Sequence, residues 1–330
     1  TLQQSSAASD VYKRQLHHWS ITATDDFWRC IWDHCEVIAS EPSDVVVRDA
    51  DKMPGASWFP DARLNFAENL LRRRGDATAL VSLLENGTRK ETTFDELYAQ
   101  VAAIAAALQA RGIEPGDRVA CFMPNVTETV VAMLAATSLG AVWTSCSPDF
   151  GFQGVMDRFG QVKPKVLFAA DGYYYNGKAH ESLEQLRQIA EEIDSLEQVV
   201  IVEVVEKATN IAGIEDIEGA VLFSNWLHEQ ASVTDIAFEQ LPFDHPLYIM
   251  YSSGTTGVPK CIVHGAGGTL IQHLKEHRLH CDIGPEDTLF YFTTCGWMMW
   301  NWLVSGLASG ATLMLYDGSP FADEGKVLLD

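Results

Sequence analysis

A cluster of hydroxyl, glycine and lysine residues is the group in this sequence with the clearest chemistry. The stretch runs Ser252, Ser253, Gly254, Thr255, Thr256, Gly257, Val258, Pro259, Lys260. Glycine permits positive φ, so consecutive backbone N–H groups can turn toward one point and, together with hydroxyl groups, form a concave site for an anion. Proline stiffens the exit, and Lys260 adds a positive charge on a long side chain. These residue types in this order predict a loop that binds polyphosphate.

The loop differs from the Gly-x4-Gly-Lys-Ser/Thr phosphate motif, in which the final hydroxyl binds magnesium. Gly254 and Gly257 are only three positions apart, and Cys261 stands where that hydroxyl would be needed. A plain Gly/Ser/Thr turn between two strands is the alternative. Such a turn requires neither four hydroxyl groups nor a lysine held after a proline, so the polyphosphate interpretation is favoured.

The loop follows a short apolar run at residues 247–251, which has the length of a buried strand. Similar apolar runs predict further strands at residues 119–123, 141–146, 165–169 and 199–205, and helices are predicted between them. Strands that alternate with helices indicate an α/β fold with a doubly wound, largely parallel sheet. Ligands of such sheets bind beyond the carboxyl ends of the strands. The loop at 252–260 leaves its strand at that end.

Other elements are predicted from caps and periodicity. Thr93 and Glu96 form a capping box that begins a helix, and a second helix is expected near residues 269–279. The uncharged stretch 288–316 is interrupted by glycine, serine and asparagine. A membrane span needs about 20 predominantly apolar residues, so this stretch is predicted to form a buried strand, helix and strand.

Three histidines offer a possible metal site. His273, His277 and His280 lie at i, i+4 and i+7, and Cys281 follows them. Two of these side chains on one helix face could bind zinc. The favoured interpretation is a solvated polar face, since the intervening residues include lysine, glutamate and arginine.

The composition excludes some partners. The chain has 330 residues, 23 Lys and Arg against 45 Asp and Glu, and a formal charge of −22. Nucleic acid requires a basic face, so it is not expected as a partner. The charge also disfavours ATP alone, and a phosphate ligand would need Mg²⁺. Seven cysteines without a C-x-x-C pair and the lack of a signal-peptide layout are typical of reduced thiols in a cytoplasmic protein.

The loop also carries a resemblance to a known family. Tyr251 to Lys260 is similar to the signature loop of the adenylate-forming superfamily, which includes acyl-CoA synthetases, luciferases and peptide synthetases. Residues 58–70 resemble the N-terminal motif of the acetyl-CoA synthetase branch. Residues 171–178, 259–264 and 294–302 resemble the branch that activates acetoacetate. The resemblance extends from about Leu16 to the last residue.

The resemblance implies an ATP-dependent ligase that joins acetoacetate to CoA through an acyl-adenylate and releases AMP and pyrophosphate. ATP, Mg²⁺ and CoA would be required, and no membrane partner is implied. Thr256 and Lys260 would be catalytic. The ATP phosphates would be bound by the residues of the loop, namely Ser252, Ser253, Gly254, Thr255, Thr256, Gly257 and Lys260.

Two further sites follow from the same resemblance. Trp297, Met298 and Met299 would line the acyl pocket, with methionines in place of the smaller residues usual in acetyl-CoA synthetases. Their alternative role is to begin a core helix. Lys178 matches a region that contacts the CoA nucleotide phosphate, and a surface lysine in a turn is an equally open interpretation. No protein residue is expected to bind a metal ion.

The predicted organisation is a disordered leader at 1–15, an N-terminal extension at 16–75, a first αβ subdomain at 76–280 with the loop at 251–260, and an incomplete second αβ subdomain at 281–330. The boundary near 280 is implied by the resemblance. The superfamily's later magnesium, ribose and lysine motifs are not found after Lys260. We therefore expect this stretch to be the N-terminal part of an enzyme and not to complete the reaction alone. A non-catalytic nucleotide- or metal-binding module is the second hypothesis, and a Walker-type NTPase is the third.

Overall fold

The structure is a computed structural model that describes residues 2–205, 214–252, 257–322 and 325, with side chains from Tyr12 onward. Residues 253–256 of the predicted phosphate loop, which are Ser253, Gly254, Thr255 and Thr256, lie outside the described residues. The helices in the described part are α1 (Leu2–Thr22), α2 (Thr24–His34), α3 (Phe66–Leu70), α4 (Phe94–Ala110), α5 (Thr127–Ser138), α6 (Phe152–Val162), α7 (Leu183–Glu192), α8 (Phe223–Glu229), α9 (Ala266–Lys275) and α10 (Met298–Val304).

Two helices continue into a wider or a tighter turn, α4 begins where the sequence predicts, and α1 was not expected. A π-helical turn (Glu276–His280) follows α9, and a 3₁₀ turn (Ser305–Ser309) follows α10. The capping box before α4 is confirmed, because Glu96 N donates to Thr93 Oγ1 at 3.2 Å and Thr93 N donates to Glu96 Oε2 at 2.8 Å. Helix α1 covers a segment for which the sequence analysis expects no regular structure. Residues 1–15 contain good helix formers and neither glycine nor proline, which is compatible with a helix.

The strands are short and most lie in two sheets. They are β1 (Val47–Arg48), β2 (Ser57–Trp58), β3 (Arg63–Leu64), β4 (Thr78–Leu84), β5 (Arg89–Thr93), β6 (Arg118–Phe122), β7 (Val142–Cys146), β8 (Val166–Ala170), β9 (Gly172–Tyr175), β10 (Lys178–Glu181), β11 (Gln198–Val202), β12 (Ala220–Leu222), β13 (Leu241–Pro242), β14 (Pro246–Ser252), β15 (Lys260–Gly265), β16 (Thr288–Phe290) and β17 (Thr312–Asp317).

Among the described residues, the larger sheet has seven strands in the order β12-β11-β8-β6-β7-β14-β15. All neighbours are parallel except β14 and β15. Alternate residues of β6 enter separate cores, with Val119 and Cys121 in one and Ala120 and Phe122 in the other. Helices α4, α5 and α8 pack on the first face, and α6 and α7 pack on the second. The predicted doubly wound, largely parallel sheet is confirmed.

A second sheet has the order β16-β17-β4-β5 within the described part of the chain. Strand β17 is parallel to both β16 and β4, while β5 is antiparallel to β4. This sheet joins strands near residue 80 to strands beyond residue 288, so its members are not contiguous in sequence. The subdomain boundary near residue 280 stays a prediction.

The uncharged stretch at 288–316 is packed against this sheet. Trp300, Leu303 and Val304 of α10 are buried, as are Leu313 and Leu315 of β17. In the described ranges, no helix combines the length and apolar character needed to cross a bilayer. The expected order of strand, helix and strand is therefore confirmed. The expected burial is wrong for β16, in which Leu289 is half-buried while Thr288 and Phe290 are exposed.

Candidate functional site

The predicted phosphate loop joins β14 to β15 at the edge of the seven-stranded sheet. Ser252 pairs with Lys260 in the antiparallel register, and β14 runs parallel to β7. The loop thus leaves β14 at its carboxyl end, as the sequence predicts. Ser252 is half-buried, whereas Gly257, with a φ of 88°, and Lys260 are exposed. Phosphate binding by the loop stays a prediction.

The strand end before the loop is fixed by hydrogen bonds. Thr144 Oγ1 donates to Ile249 O at 3.0 Å, and the Tyr251 hydroxyl lies 2.7 Å from the same Oγ1. Since the threonine proton is used on the carbonyl, the tyrosine hydroxyl is the donor in the second bond. Burial raises the pKa of Tyr251 above its usual value, so the phenol stays neutral and keeps that donor.

Arg158 is a candidate residue that the sequence analysis did not identify. It lies on α6, with its guanidinium 4.5 Å from the Phe150 ring centre and 5.7 Å from that of Tyr251. Its Nη1 donates to Gly154 O at 2.7 Å. No carboxylate among the described residues lies within 4.0 Å of it. Arg158 is therefore a cation beside the strand that enters the loop. Only the tertiary contact with β14 reveals it.

The same helix also contacts the exit of the loop. Gln161 Nε2, one turn beyond Arg158, donates to Pro259 O at 2.9 Å. One helix thus contacts the segment before the loop through Tyr251 and the segment after it through Pro259.

A cavity of about 610 Å³ lies between β15, α9 and α10. Met298 and Met299 both line it, which brings together two of the three residues predicted for the acyl pocket. Trp297 is 65% exposed and is not among the lining residues. The remaining lining residues come from β15, α9, the π-helical turn and α10 and are Val263, His264, Gly265, Gly268, Thr269, Gln272, His273, Glu276 and Trp302.

Two polar side chains of the cavity wall, Glu276 and His273, are held by hydrogen bonds. Glu276 accepts from Trp302 Nε1 at 2.8 Å and from Gln272 Nε2 at 2.6 Å. His273 Nδ1 lies 2.8 Å from Ser305 Oγ, and that hydroxyl donates to Asn301 O at 2.9 Å. The imidazole therefore donates to the serine from Nδ1, which leaves Nε2 as the acceptor.

The expectation of a solvated histidine face is wrong for two of the three residues. His273 is 7% exposed and His277 is fully buried, with its ring 4.4 Å from that of Trp302. Burial lowers the pKa of each to about 4. Helix α9 packs one face into the core, and the π-helical turn carries His277 inward with it. Only His280 is exposed.

The zinc alternative finds no support in the described ranges, where no three His, Cys, Asp or Glu side chains are grouped to bind a metal ion. Cys281 is exposed. His277 has no hydrogen-bond partner for either ring nitrogen among the described residues. Its burial against Trp302 is a packing arrangement and not a ligand sphere.

A hydrogen-bonded chain behind the cavity was also missed by the sequence analysis. Trp300 Nε1 donates to Asn125 Oδ1 at 2.8 Å, and Asn125 N donates to Asp317 Oδ2 at 2.7 Å. Burial, reinforced by Asp149 and Glu85, raises the pKa of Asp317 to about 7. The chain connects α10 to the end of β17 and so holds the helix that carries the two methionines.

Lys178 begins β10, directly after the two-residue turn of the β9–β10 hairpin. Its side chain is exposed and is not among the residues that line the cavity. This position is that of a surface lysine in a turn, and it leaves the ammonium group available to an anion.

Comparisons with known proteins agree with this architecture. The family model of AMP-binding enzymes matches residues 66–330, and that of the acetyl-coenzyme A synthetase N-terminus matches residues 13–70. An acetoacetyl-coenzyme A synthetase from Rhizobium meliloti (strain 1021) is 52% identical over 315 residues, which is 96% of this chain and 48% of that protein. A malonamoyl-CoA synthetase from Penicillium aethiopicum is 46% identical over 93% of this chain and 44% of its own length.

A solved structure gives the same result for the fold. The acetoacetyl-CoA synthetase from Streptomyces lividans superposes with a TM-score of 0.86 at 46% identity, over 92% of this chain and 46% of that one. The chain thus spans about half the length of the relatives it matches. These matches confirm the family resemblance of the signature loop. The chain belongs to the family of AMP-binding enzymes.

Proposed function

We propose that this chain provides the phosphate- and acyl-binding parts of an ATP-dependent ligase that forms acetoacetyl-CoA from acetoacetate, ATP and CoA. One observation carries the proposal. Strand β15 begins at Lys260, at the exit of the phosphate loop, and its Val263, His264 and Gly265 line the cavity that contains Met298 and Met299. Three residues of strand span about 10 Å, so one strand connects the two predicted binding sites.

The reaction proceeds in two steps. A carboxylate oxygen of acetoacetate attacks the α-phosphorus of ATP, and the bond to the pyrophosphate leaving group breaks. The CoA thiol, after losing its proton, then attacks the acyl carbon and AMP leaves with the oxygen that came from the carboxylate. Both steps transfer a group between bound partners, so most of the catalysis comes from position and from charge stabilisation.

The loop residues Ser252, Ser253, Gly254, Thr255, Thr256 and Gly257 donate hydrogen bonds to the β- and γ-phosphates, as preorganised donors for the departing charge. Lys260 neutralises part of that charge. Arg158 adds a second cation on the side of Tyr251. We assign no residue of this chain to Mg²⁺, which we propose arrives as the complex with ATP.

The acyl chain enters the cavity beside Met298 and Met299, whose flexible thioethers adapt to a short chain. Trp297, exposed at the start of α10, covers the reacting carboxylate from the solvent side. Lys178 binds a phosphate of the CoA nucleotide. The Penicillium aethiopicum relative is named for malonamoyl-CoA, so malonamate is the substrate to test against acetoacetate.

The test compares acids as substrates of the complete gene product. AMP release with CoA would be measured for acetoacetate, acetate, butyrate and malonamate. We expect the highest kcat/KM with acetoacetate. One missing or extra methylene should change the free energy of discrimination by about 1–3 kcal/mol. A higher value for any of the others would overturn the choice of acetoacetate and leave the ligase class intact. Absence of AMP with every acid would overturn the ligase assignment.

A further inference from the structure

Glu85, the residue after β4, connects segments that are far apart in the sequence. Its Oε2 accepts from Asn176 N at 3.0 Å and from Ser319 N at 2.6 Å, and its Oε1 accepts from Gly177 N. One carboxylate therefore binds three backbone donors from two loops. Hydrogen bonds to an ionised acceptor are stronger than neutral ones, so this arrangement restrains both loops.

The carboxylate restrains the turn of the β9–β10 hairpin, whose base is held by the bond from Ser182 N to Asp171 O and by packing of Tyr174 against the core. Its strands pair only with each other in the described part of the chain, and a two-stranded hairpin is marginally stable by itself. The turn residues Asn176 and Gly177 have φ values of 51° and 72°, as a type I′ turn requires. The carboxylate of Glu85 accepts the outward N–H groups of both turn residues. Tyr173 and His180 stack across the strands at 4.9 Å.

The third donor to the Glu85 carboxylate is Ser319 N, which follows β17 and so connects the hairpin to the four-stranded sheet. Glu85 N donates to Asp317 O at 3.0 Å, at the end of β17. Gly318 has a φ of 139°, and a Cβ there would lie 2.9 Å from Glu85 Oε2. Only glycine allows this approach. The Glu85 side chain thus joins a hairpin outside both large sheets to the carboxyl end of the smaller one.

Lys178 follows this turn directly. Its side chain is exposed, and no carboxylate among the described residues lies within 4.0 Å of its ammonium group. Both oxygens of Glu85 are taken by backbone donors and do not pair with the lysine. The turn is held by a negative charge while the positive charge beside it stays free for a ligand.

We propose that Glu85 is a positioning residue for CoA: it fixes the 176–177 turn so that the Lys178 ammonium group meets a phosphate of the CoA nucleotide. This inference rests on the proposed function and on the role proposed there for Lys178. Glu85 contacts no substrate and acts through the hairpin. Its effect falls on CoA capture and leaves adenylation, which does not use CoA, unchanged.

The test uses Glu85→Gln in the complete gene product, with Glu91→Gln on the neighbouring strand as the control. Glu91 is exposed and paired with Arg89. The amide at position 85 has the size of the carboxylate but places an N–H group against backbone donors. We expect the KM for CoA to rise about tenfold, as befits the loss of a charge-assisted hydrogen bond. Pyrophosphate exchange and the control variant should stay within about twofold of wild type.

A double variant separates positioning from general damage. Lys178→Ala should raise the KM for CoA in the same way, and adding Glu85→Gln should change it by less than about twofold, because both act through one contact. Glu85→Asp, which keeps the charge but shortens the reach, should behave like Glu85→Gln. Multiplicative effects, or an equal loss of pyrophosphate exchange, would overturn the inference. Absence of exchange in the wild type with every acid would instead overturn the proposed function, and this inference with it.

Discussion

The loop end of the β14–β15 pair and the wall of the adjacent cavity use charged and titratable residues in opposite ways. Lys260 is exposed, and Val258, Ile262 and Val263 around it are exposed as well. His273 and His277 lie on the neighbouring helix and are buried and neutral. An exposed residue that contributes little to the core can have the side chain that its ligand requires. A residue inside the core must satisfy the packing first.

The largest expected effect is at the loop. Lys260→Ala and Thr256→Val should each slow acetoacetate-dependent pyrophosphate exchange by about 10²–10³, the usual loss for one preorganised donor to developing charge. The free energy of unfolding should change by less than about 0.5 kcal/mol in Lys260→Ala, as for other exposed positions. Exchange kinetics and urea unfolding on the same samples would measure both.

The control for the loop variants is Lys52→Ala, which removes an exposed lysine paired with Asp49. It should leave both quantities unchanged, since such pairs are worth about 0–1 kcal/mol. Unchanged exchange in the loop variants, together with a marked loss of stability, would show that the loop is a structural turn.

The buried histidines beside the cavity should respond in the opposite way, through stability and pH. Burial lowers the pKa of His277 to about 4, whereas an unperturbed histidine titrates near 6.5. Between these values the unfolded state binds more protons, so the free energy of unfolding falls as the pH is lowered from about 6.5 to 4. His273 and Glu276 face His277. His273 adds a slope of the same sign.

His277→Phe isolates this effect. The difference in unfolding free energy between variant and wild type should grow in favour of the variant as the pH falls from 6.5 to 4, by on the order of 3 kcal/mol. At pH 7 the variant should be at least as stable as the wild type, because it removes two buried ring nitrogens that have no hydrogen-bond partner among the described residues. The control is His280→Phe at the exposed position. A variant less stable than wild type at every pH would contradict the packing role.

Because Asp317 also titrates in this pH range, the variant must be compared with the wild type at each pH. Burial raises its pKa to about 7, above the usual 3.9 for aspartate. Its neutral form is favoured in the folded state, so its stabilisation is present at low pH and is lost as the pH rises through 7. This slope opposes that of the histidines in the wild type and cancels in the difference between variant and wild type.

The smallest expected effect tests whether Arg158 of α6 contributes to the phosphate site. Arg158→Gln should slow pyrophosphate exchange about tenfold, as the loss of one charge-assisted contact would. Arg158→Lys should recover part of the rate, and Arg89→Gln on the exposed face of β5 should have none of the effect. An Arg158→Gln enzyme with wild-type exchange would limit the phosphate site to the loop itself.

The fold could be predicted because its signals are local. The strand predicted at 247–251 is found at Pro246–Ser252, and the capping box of α4 is formed by the two residues that the sequence indicates. Apolar runs and caps depend on neighbouring residues alone. The place of the loop at the end of β14 follows from the same kind of local signal, while its binding of phosphate stays a prediction.

The burial of His277 could not be predicted in this way. The charged neighbours of His277 suggest a solvated face, but its burial depends on Trp302, which lies in another helix. Arg158 and Glu85 were missed for the same reason, since Tyr251 and Ser319 are distant in sequence. Helical periodicity gives the face of a residue only when one face is apolar, and a π-helical turn changes that periodicity.

The most direct test of the proposed function follows one oxygen atom. Acetoacetate labelled with heavy oxygen in its carboxylate would be converted by the complete gene product in the presence of ATP, Mg²⁺ and CoA, and the products would be analysed by mass spectrometry. Attack of the carboxylate on the α-phosphorus predicts one labelled oxygen in AMP and none in pyrophosphate. Label in a phosphate or pyrophosphate product, or unlabelled AMP alongside acetoacetyl-CoA, would contradict the acyl-adenylate route.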